Sequence, residues 1–241
     1  MDFALTDDQV LLRDTARVLL ANECPPSLVR AHMDDPGAAD GLWNHLRDFA
    51  AIGSGSAVDL CLFLEETGYV AAPGPFFATT ALFAPLLEAL DSDLLEATLA
   101  GELTGTVALA GADGSWCPNA DPVKMFVPEA GRVDRVAVVG PGPAVTIVES
   151  PPVRYIETVD SSRRLFEVDT TGLEGPSSPI DPAAIESVVD RATLGVAAEM
   201  VGTTRRLFEM TLQYAKERVQ FDHPIGSFQA IQHKLADMAL D

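Results

Sequence analysis

Positive charge is scarce in this sequence. Its 241 residues include 16 lysines and arginines against 36 aspartates and glutamates, which gives a formal net charge of −20. A surface of this sign repels the phosphates of nucleic acids and of anionic lipids. The pairs Arg163-Arg164 and Arg205-Arg206 are isolated and form no basic patch in the sequence. The composition therefore predicts a protein with no nucleic-acid partner and no membrane partner.

Cysteine and the common site motifs are also sparse. Cys24, Cys61 and Cys117 are widely separated and show no Cys-x-x-Cys spacing, which argues against a disulfide framework and against a zinc site. The four histidines have no metal-ligand spacing either, so we expect no metal. Neither Gly-x-Gly-x-x-Gly nor Gly-x-Ser-x-Gly occurs, so neither a Rossmann dinucleotide site nor a hydrolase nucleophile elbow is supported.

Long apolar runs are missing as well. No run approaches the length needed to cross a bilayer, and the first residues, MDFALTDDQ, are acidic, unlike a secretory signal. These features predict a cytoplasmic protein.

The first section, residues 1–102, is predicted to be a helical domain. Thr6 and Gln9 have the spacing of a capping box, which predicts a helix to about Asn22, ended by Pro25-Pro26. Apolar periodicity predicts four further helices, over residues 42–49, 58–68, 76–90 and 92–101.

The middle section, residues 103–175, is predicted to be a small antiparallel β domain. Short β-branched runs alternate with turn-forming residues, as in a small barrel or sandwich; they lie at residues 104–110, 124–127, 133–139, 144–148 and 165–168. Residues 172–179 have the composition of a linker.

The last section, residues 176–241, is predicted to be a helical domain built on one long helix. Asp181 is a good N-cap and Pro182 suits the first helical position. No further proline occurs before Pro224, so a helix of about forty residues ending near Phe221 is expected.

A tight corner and a second helix should follow. Ser227 is a candidate N-cap for that helix. Phe228, Ile231, Leu235 and Met238 fall on one of its faces, which we expect to be buried. Arg218 and Gln220 before the corner, with Gln229 and Gln232 after it, bring a guanidinium and several amides together. Such a group suits an anionic, hydrogen-bonding ligand such as a pyrophosphate. The alternative is an ordinary helix–corner–helix with solvated polar residues, which has the same sequence pattern.

The corner sequence ERVQFDHPIGSFQAIQHKLADM resembles a segment typical of the acyl-CoA dehydrogenase family. Two further stretches, around residues 68–76 and 124–130, are similar to a helix end and to the strand that passes the flavin in that family. The resemblance extends over nearly the whole chain. It implies a mostly helical α+β fold: an amino-terminal helical domain, a small central antiparallel β domain and an incomplete carboxy-terminal long-helix bundle.

The resemblance also implies FAD as the cofactor, held by this corner across a subunit interface. By position, Arg218 would meet the FAD pyrophosphate, Gln220 and Phe221 would lie along it, and Gln229 would contact the adenosine end. Family members usually have glycine where this chain has Asp222, which places an extra negative charge near the phosphates.

The chemistry implied is the loss of a hydride from the β-carbon and of a proton from the α-carbon of an acyl-CoA, with electron-transfer flavoprotein as the redox partner. In most members the catalytic glutamate lies later in the bundle than this sequence reaches. In a minority it lies early in the long helix, where this chain has Asp190 beside Arg191, a pair that is equally an ordinary helix-surface feature. The catalytic residue is therefore left open.

Two segments are short relative to the family, residues 52–56 and 116–124. They favour a subunit that contributes FAD-binding groups while a second acyl-CoA dehydrogenase-like subunit supplies the base, an arrangement found in members that act on steroid CoA thioesters. A fragment of a homotetrameric acyl-CoA dehydrogenase and a non-catalytic scaffold of the same fold are the alternatives.

Overall fold

The computed structural model describes residues 4–240. Six α-helices precede the strands: α1 (Asp7–Glu23), α2 (Pro26–Asp34), α3 (Leu42–Leu46), α4 (Ala57–Val70), α5 (Ala84–Ala89) and α6 (Leu94–Leu99). The capping box is confirmed, because the Thr6 hydroxyl accepts from the Gln9 N–H at 3.2 Å and the Gln9 side chain accepts from the Thr6 N–H at 3.1 Å.

Two helical predictions need correction. Helix α2 is an addition to the prediction, which has only a helix end at Pro25-Pro26: Pro26 occupies the first turn of α2, where its missing N–H costs nothing. The single helix predicted over residues 76–90 has a π-helical segment, Ala78–Phe83, before α5.

Seven strands form two sheets between the helical sections. The first sheet has the order β1 (Gly105–Ala108), β3 (Arg135–Gly140), β4 (Ala144–Val148), β7 (Ser177–Pro179), and the second has the order β2 (Val123–Pro128), β6 (Leu165–Asp169), β5 (Val153–Ile156). All pairings are antiparallel except β1 with β3, which is parallel. This departure from a wholly antiparallel domain arises because β2, between them in sequence, belongs to the other sheet. Strand β5 was not predicted, and β7 lies in the predicted linker.

Helix α7 (Pro182–Glu217) is the long helix that the proline-free stretch predicted, with 36 residues. Asp181 caps it by accepting the Ala183 N–H at 2.9 Å, and Pro182 takes its first position. The mostly helical α+β fold class is therefore confirmed, while the domain bounds at 102/103 and 175/176 stay predictions. Within residues 4–240, no helix has the length and apolar character that a membrane span requires.

Helices α4 and α7 pack with their backbones in direct contact. A Cβ on Gly68 would overlap the backbone of Glu199, and a Cβ on Gly202 would overlap the carbonyl oxygen of Glu65. Glycine is therefore required on both helices for this approach. The same interface holds the buried Glu66, whose carboxylate pairs with Arg17 of α1 at 2.9 Å and with Arg205 of α7 at 2.8 Å.

We expect Gly202→Ala to lower the free energy of unfolding by about 2 kcal/mol, because the added methyl overpacks a backbone contact that cannot yield. Gly41→Ala is the matched control, since nothing lies within 4 Å of a Cβ there. Denaturant unfolding measures both variants. Equal stabilities for Gly202→Ala and Gly41→Ala would contradict the close α4–α7 packing.

Candidate functional site

The corner after α7 is a two-residue β-hairpin. Strand β8 (Val219–Gln220) pairs with β9 (His223–Pro224), and the connecting residues Phe221 and Asp222 have φ angles of 54° and 62°. Positive φ at both central residues is the requirement of a type I′ turn, for which glycine is the least strained residue at the second position. The backbone thus gives a reason for the glycine that family members have where this chain has Asp222.

The hairpin is fastened to the end of α7. The Ile225 N–H donates to the Arg218 carbonyl at 2.8 Å. Gly226 lies against the last turn of α7, where a Cβ would come within 2.9 Å of the Ala215 carbonyl oxygen. Helix α7 therefore ends at Glu217, earlier than the predicted Phe221, because the hairpin strands begin directly after it. We call the segment from Arg218 to Gln229 the elbow.

The four predicted cofactor residues all lie on the surface of the elbow. Arg218, Gln220 and Phe221 are on the hairpin, and Gln229 begins α8 (Gln229–Met238). The Gln220 amide donates to the neighbouring Val219 carbonyl, and Gln229 lies 3.5 Å from the His233 ring nitrogen. Across residues 4–240, the Arg218 guanidinium has no hydrogen-bond or ion-pair partner. Their assignment to a cofactor stays a prediction.

Two predictions about α8 are wrong for this chain. Ser227 does not cap the helix: its hydroxyl donates to the Pro224 carbonyl at 2.7 Å, and Phe228 stands at the N-cap without a side-chain bond. The apolar face is not buried, since Phe228 is 37% exposed and Met238 47% exposed. Ile231 and Leu235, on the same face, are half-buried.

Exposed apolar residues also lie on the hairpin and on α7. Phe221 at the hairpin tip is 86% exposed and its ring meets Phe228 edge-on, with 6.3 Å between centroids. On α7 the exposed apolar residues nearest to the elbow in sequence are Leu207, Met210 and Tyr214.

An apolar cavity of about 500 Å³ lies beside the amino-terminal half of α7. Val189, Thr193 and Val196 line it from the helix. Phe126 of β2 and Trp116, in the segment leading to β2, line it from the β section. The strand that resembles the flavin-passing strand of the family therefore forms one wall of this cavity.

A second cavity of about 430 Å³ adjoins the first, and the two share Arg163, Val196 and Met200. Its lining is more polar, with Thr67 of α4, Ser162 and Glu199. The Arg163 guanidinium bonds the Glu199 carboxylate and lies over the Phe77 ring, 4.5 Å from its centroid. The Thr67 hydroxyl donates to the Leu64 carbonyl at 2.8 Å and lies 3.3 Å from the Glu199 carboxylate.

The loop that carries Arg163 is anchored by buried charges. The Arg164 N–H donates to the Glu129 carboxylate at 3.1 Å, and the Arg164 guanidinium donates to the carbonyls of His32 and Met33. Glu129 follows β2 with a φ of 57°. These bonds fix the position of Arg163 relative to the cavities.

The Glu199 carboxyl has a raised pKa, because burial disfavours its charged form more than the neighbouring Arg163 favours it. A carboxyl with a perturbed pKa in a cleft is a functional-site candidate. Sequence reasoning missed Glu199 and Arg163 as a pair, because 36 residues separate them and only the fold brings them together.

Asp190, the residue matched to the family's less common base position, is exposed and lines neither cavity. The neighbouring Arg191 turns the other way and donates to the carbonyls of Ile52 and Gly55 at 2.9 and 3.0 Å. Arg191 thus holds the short 52–55 segment against α7.

Comparison with known proteins gives consistent relatives. The family described as "Acyl-CoA dehydrogenase, C-terminal domain" matches residues 183–241. Acyl-CoA dehydrogenase IpdE2 of Mycobacterium tuberculosis is 30% identical over an alignment of 247 residues, gaps included. The alignment covers 96% of this chain and 71% of the relative.

Solved structures share the fold. A variant of the steroid ACAD Tcur3481–Tcur3483 has a TM-score of 0.81 at 26% identity, covering 97% of this chain and 73% of that one. The ChsE4–ChsE5 complex from Mycobacterium tuberculosis has a TM-score of 0.80 at 22% identity, covering 98% and 74%, which shows the fold alone. With the elbow and cavities described above, the similarity to IpdE2 over nearly the whole chain shows that this protein belongs to the acyl-CoA dehydrogenase family.

Proposed function

We propose that this protein is a subunit of an FAD-dependent acyl-CoA dehydrogenase that introduces an α,β double bond into an acyl-CoA thioester in the cytoplasm. The observation that carries the proposal is the elbow: a guanidinium without a partner in the described chain stands beside an exposed apolar surface. Both features suit a site completed by another subunit and a phosphate-bearing cofactor.

The residues of the elbow fit FAD. The Arg218 guanidinium is available and matches the fork geometry of phosphate oxygens. Gln220 and Gln229 supply amide groups, and the exposed Phe221 ring supplies an apolar edge along the dinucleotide. When bound, FAD supplies the acceptor for the hydride that leaves the β-carbon.

A second acyl-CoA dehydrogenase-like subunit is the proposed partner at the elbow. The exposed apolar residues of α7, the hairpin and α8 form a surface that soluble proteins normally cover. One structural neighbour, the steroid ACAD Tcur3481–Tcur3483, is named for a pair of chains, which supports an assembly of unlike subunits. We infer a heterotetramer, with electron-transfer flavoprotein as its redox partner.

The apolar cavity between α7 and the β section is the proposed place for the acyl group. Its apolar walls exclude water and its volume suits a bulky group, as the description of one neighbour as a steroid ACAD also suggests. As the α-carbon loses a proton to a carboxylate and the β-carbon loses a hydride, the bond between them becomes double. We assign the base to the partner subunit, because Asp190 lies outside both cavities and Glu199 is held by Arg163.

The visible spectrum tests this proposal against its alternatives. We expect the protein to show flavin absorbance when purified with its partner subunit, and an acyl-CoA substrate to bleach it, because reduction removes the oxidised flavin bands. Flavin and activity from this chain alone would favour a homotetrameric enzyme. Absence of flavin under both conditions would leave a non-catalytic scaffold and overturn the proposal.

Arg218→Ala should reduce FAD retention by about tenfold or more, because one charge-assisted hydrogen bond to phosphate is lost. The ratio of flavin to protein after gel filtration measures the effect. Lys216→Ala is the matched control, since it removes the same positive charge two residues earlier on exposed α7 and should retain FAD.

Asp222→Gly should increase FAD retention. It removes a negative charge beside the phosphates and places glycine at a φ of 62°, which favours glycine. Asp222→Asn separates the two causes, because it removes the charge and keeps a side chain.

If Arg218→Ala and Lys216→Ala retain the same FAD content, the elbow is not the cofactor site.

A further inference from the structure

Helix α2 and the loop between β5 and β6 meet at a buried cluster of charged and polar side chains. His32, in the last turn of α2, has 0% of its surface exposed. The Arg164 guanidinium, at the end of the loop, donates to the His32 carbonyl at 3.1 Å. Glu129 and Arg132, which follow β2, complete the cluster. We call residues 157–164 the β5–β6 loop.

The imidazole ring of His32 has no hydrogen-bond partner. Neither Nδ1 nor Nε2 forms a hydrogen bond within residues 4–240, although the Pro36 carbonyl lies near the ring. Buried polar side chains are normally hydrogen-bonded, and an unpaired one costs free energy. The other buried atoms of the cluster that lack a hydrogen bond in the described chain are Glu129 Oε2, Arg132 Nε and Arg164 Nε. Because the cluster is polar, buried and incompletely bonded, any added charge strongly affects its stability.

Two guanidinium groups on different elements act on the His32 ring. Arg132 and Arg164 are the nearby positive charges, and Asp40 is the nearby negative charge. Asp40 is exposed and already bonded to Arg132. The Glu129 carboxylate accepts from the Arg164 backbone N–H at 3.1 Å and lies 3.5 Å from Arg132 Nε. A proton on His32 would therefore add a third positive charge to a group whose carboxylates are already engaged.

Burial, together with the two guanidiniums, lowers the pKa of His32 from its ordinary value of about 6.5. The closed cluster thus holds the ring neutral, whereas an opened cluster lets water reach the ring and protonate it. The closed cluster keeps its full stability above pH ~6.5 and loses stability as the pH falls below that value.

The buried carboxyl of Glu129 cannot produce this loss. Burial raises the pKa of Glu129, so the folded chain takes up this proton more readily than the unfolded chain does. Protonation of Glu129 therefore adds stability as the pH falls, which is the opposite of the effect of His32. The direction of the change with pH distinguishes the two groups.

We propose that His32 is a pH sensor whose protonation releases the β5–β6 loop from α2. Arg163 precedes the Arg164 anchor, so release of the loop also frees Arg163 from Glu199 and from the Phe77 ring. Because Arg163 lines both the apolar cavity and its polar neighbour, its release joins the two cavities. The inference does not depend on the proposed function, since every contact in it lies within the described chain.

Hydrogen exchange of the full-length protein, read by mass spectrometry, tests the sensor. It is measured at about pH 5.5 and about pH 7.5, below and above the ordinary histidine pKa, with times corrected for the intrinsic pH dependence of amide exchange. We expect about tenfold less protection in α2 and the β5–β6 loop at the lower pH, because each pH unit below that pKa favours the protonated, open form about tenfold. Amides where α4 packs on α7 should keep their protection.

His32→Gln and His32→Phe replace the ring with side chains that do not titrate. Each variant should show equal protection of α2 and the β5–β6 loop at the two pH values. His45→Gln is the matched control, since it removes an exposed histidine of α3 and should keep the pH-dependent loss.

An NMR titration of the histidine rings needs no change at His32. The His32 signal, assigned by its persistence when the exposed histidines are replaced, should remain that of neutral imidazole at about pH 6. This measurement and the exchange of the unmodified protein decide the matter if neither His32 variant folds.

Three results would overturn the proposal. Equal protection of α2 and the β5–β6 loop at both pH values in the unmodified protein would leave His32 an inert core residue. A pH-dependent loss that survives in a folded His32 variant would assign the effect to another group. A His32 ring half-protonated at about pH 6.5 would show that the cluster does not hold it neutral.

Discussion

The close approach of α4 and α7 is the constraint on which the other features depend. Gly68 and Gly202 let the two backbones touch, and Arg205 crosses the same interface to pair with Glu65 and Glu66. Because α7 is fixed against α4, its position along its own axis relative to the β section is fixed as well. Thr67 and Glu199 then meet, and the elbow follows directly after the end of α7.

The two halves of α7 consequently contribute to different sites. The first half lines the apolar cavity together with β2 and residues before it, and it ends at the charged wall made by Glu199 and Arg163. The second half packs against α4 through Gly202 and Arg205 and carries the elbow at its end. In the proposed enzyme, the first half borders the acyl group and the second half carries the elbow that binds the cofactor at a subunit interface. One rigid helix therefore sets the distance between the acyl group and the cofactor.

Features with local sequence signals were predictable. The capping box at Thr6, the start of α7 at Asp181-Pro182 and the corner at Pro224 each depend on neighbouring residues, and the structure has all three. Features set by distant contacts were not. The parallel pairing of β1 with β3 depends on where β2 goes, and the Arg163–Glu199 pair depends on the packing of a β-section loop against α7. The burial predicted for the α8 face failed for a related reason: its apolar spacing is real, but Phe228 and Met238 stay exposed in the described chain.

An experimental structure of the protein purified with FAD and its partner subunit tests the central claim most directly. The account predicts the FAD pyrophosphate within hydrogen-bonding distance of the Arg218 guanidinium, with the second subunit covering Phe221 and Phe228. An FAD bound elsewhere, with the elbow in bulk solvent and away from every subunit contact, would contradict it.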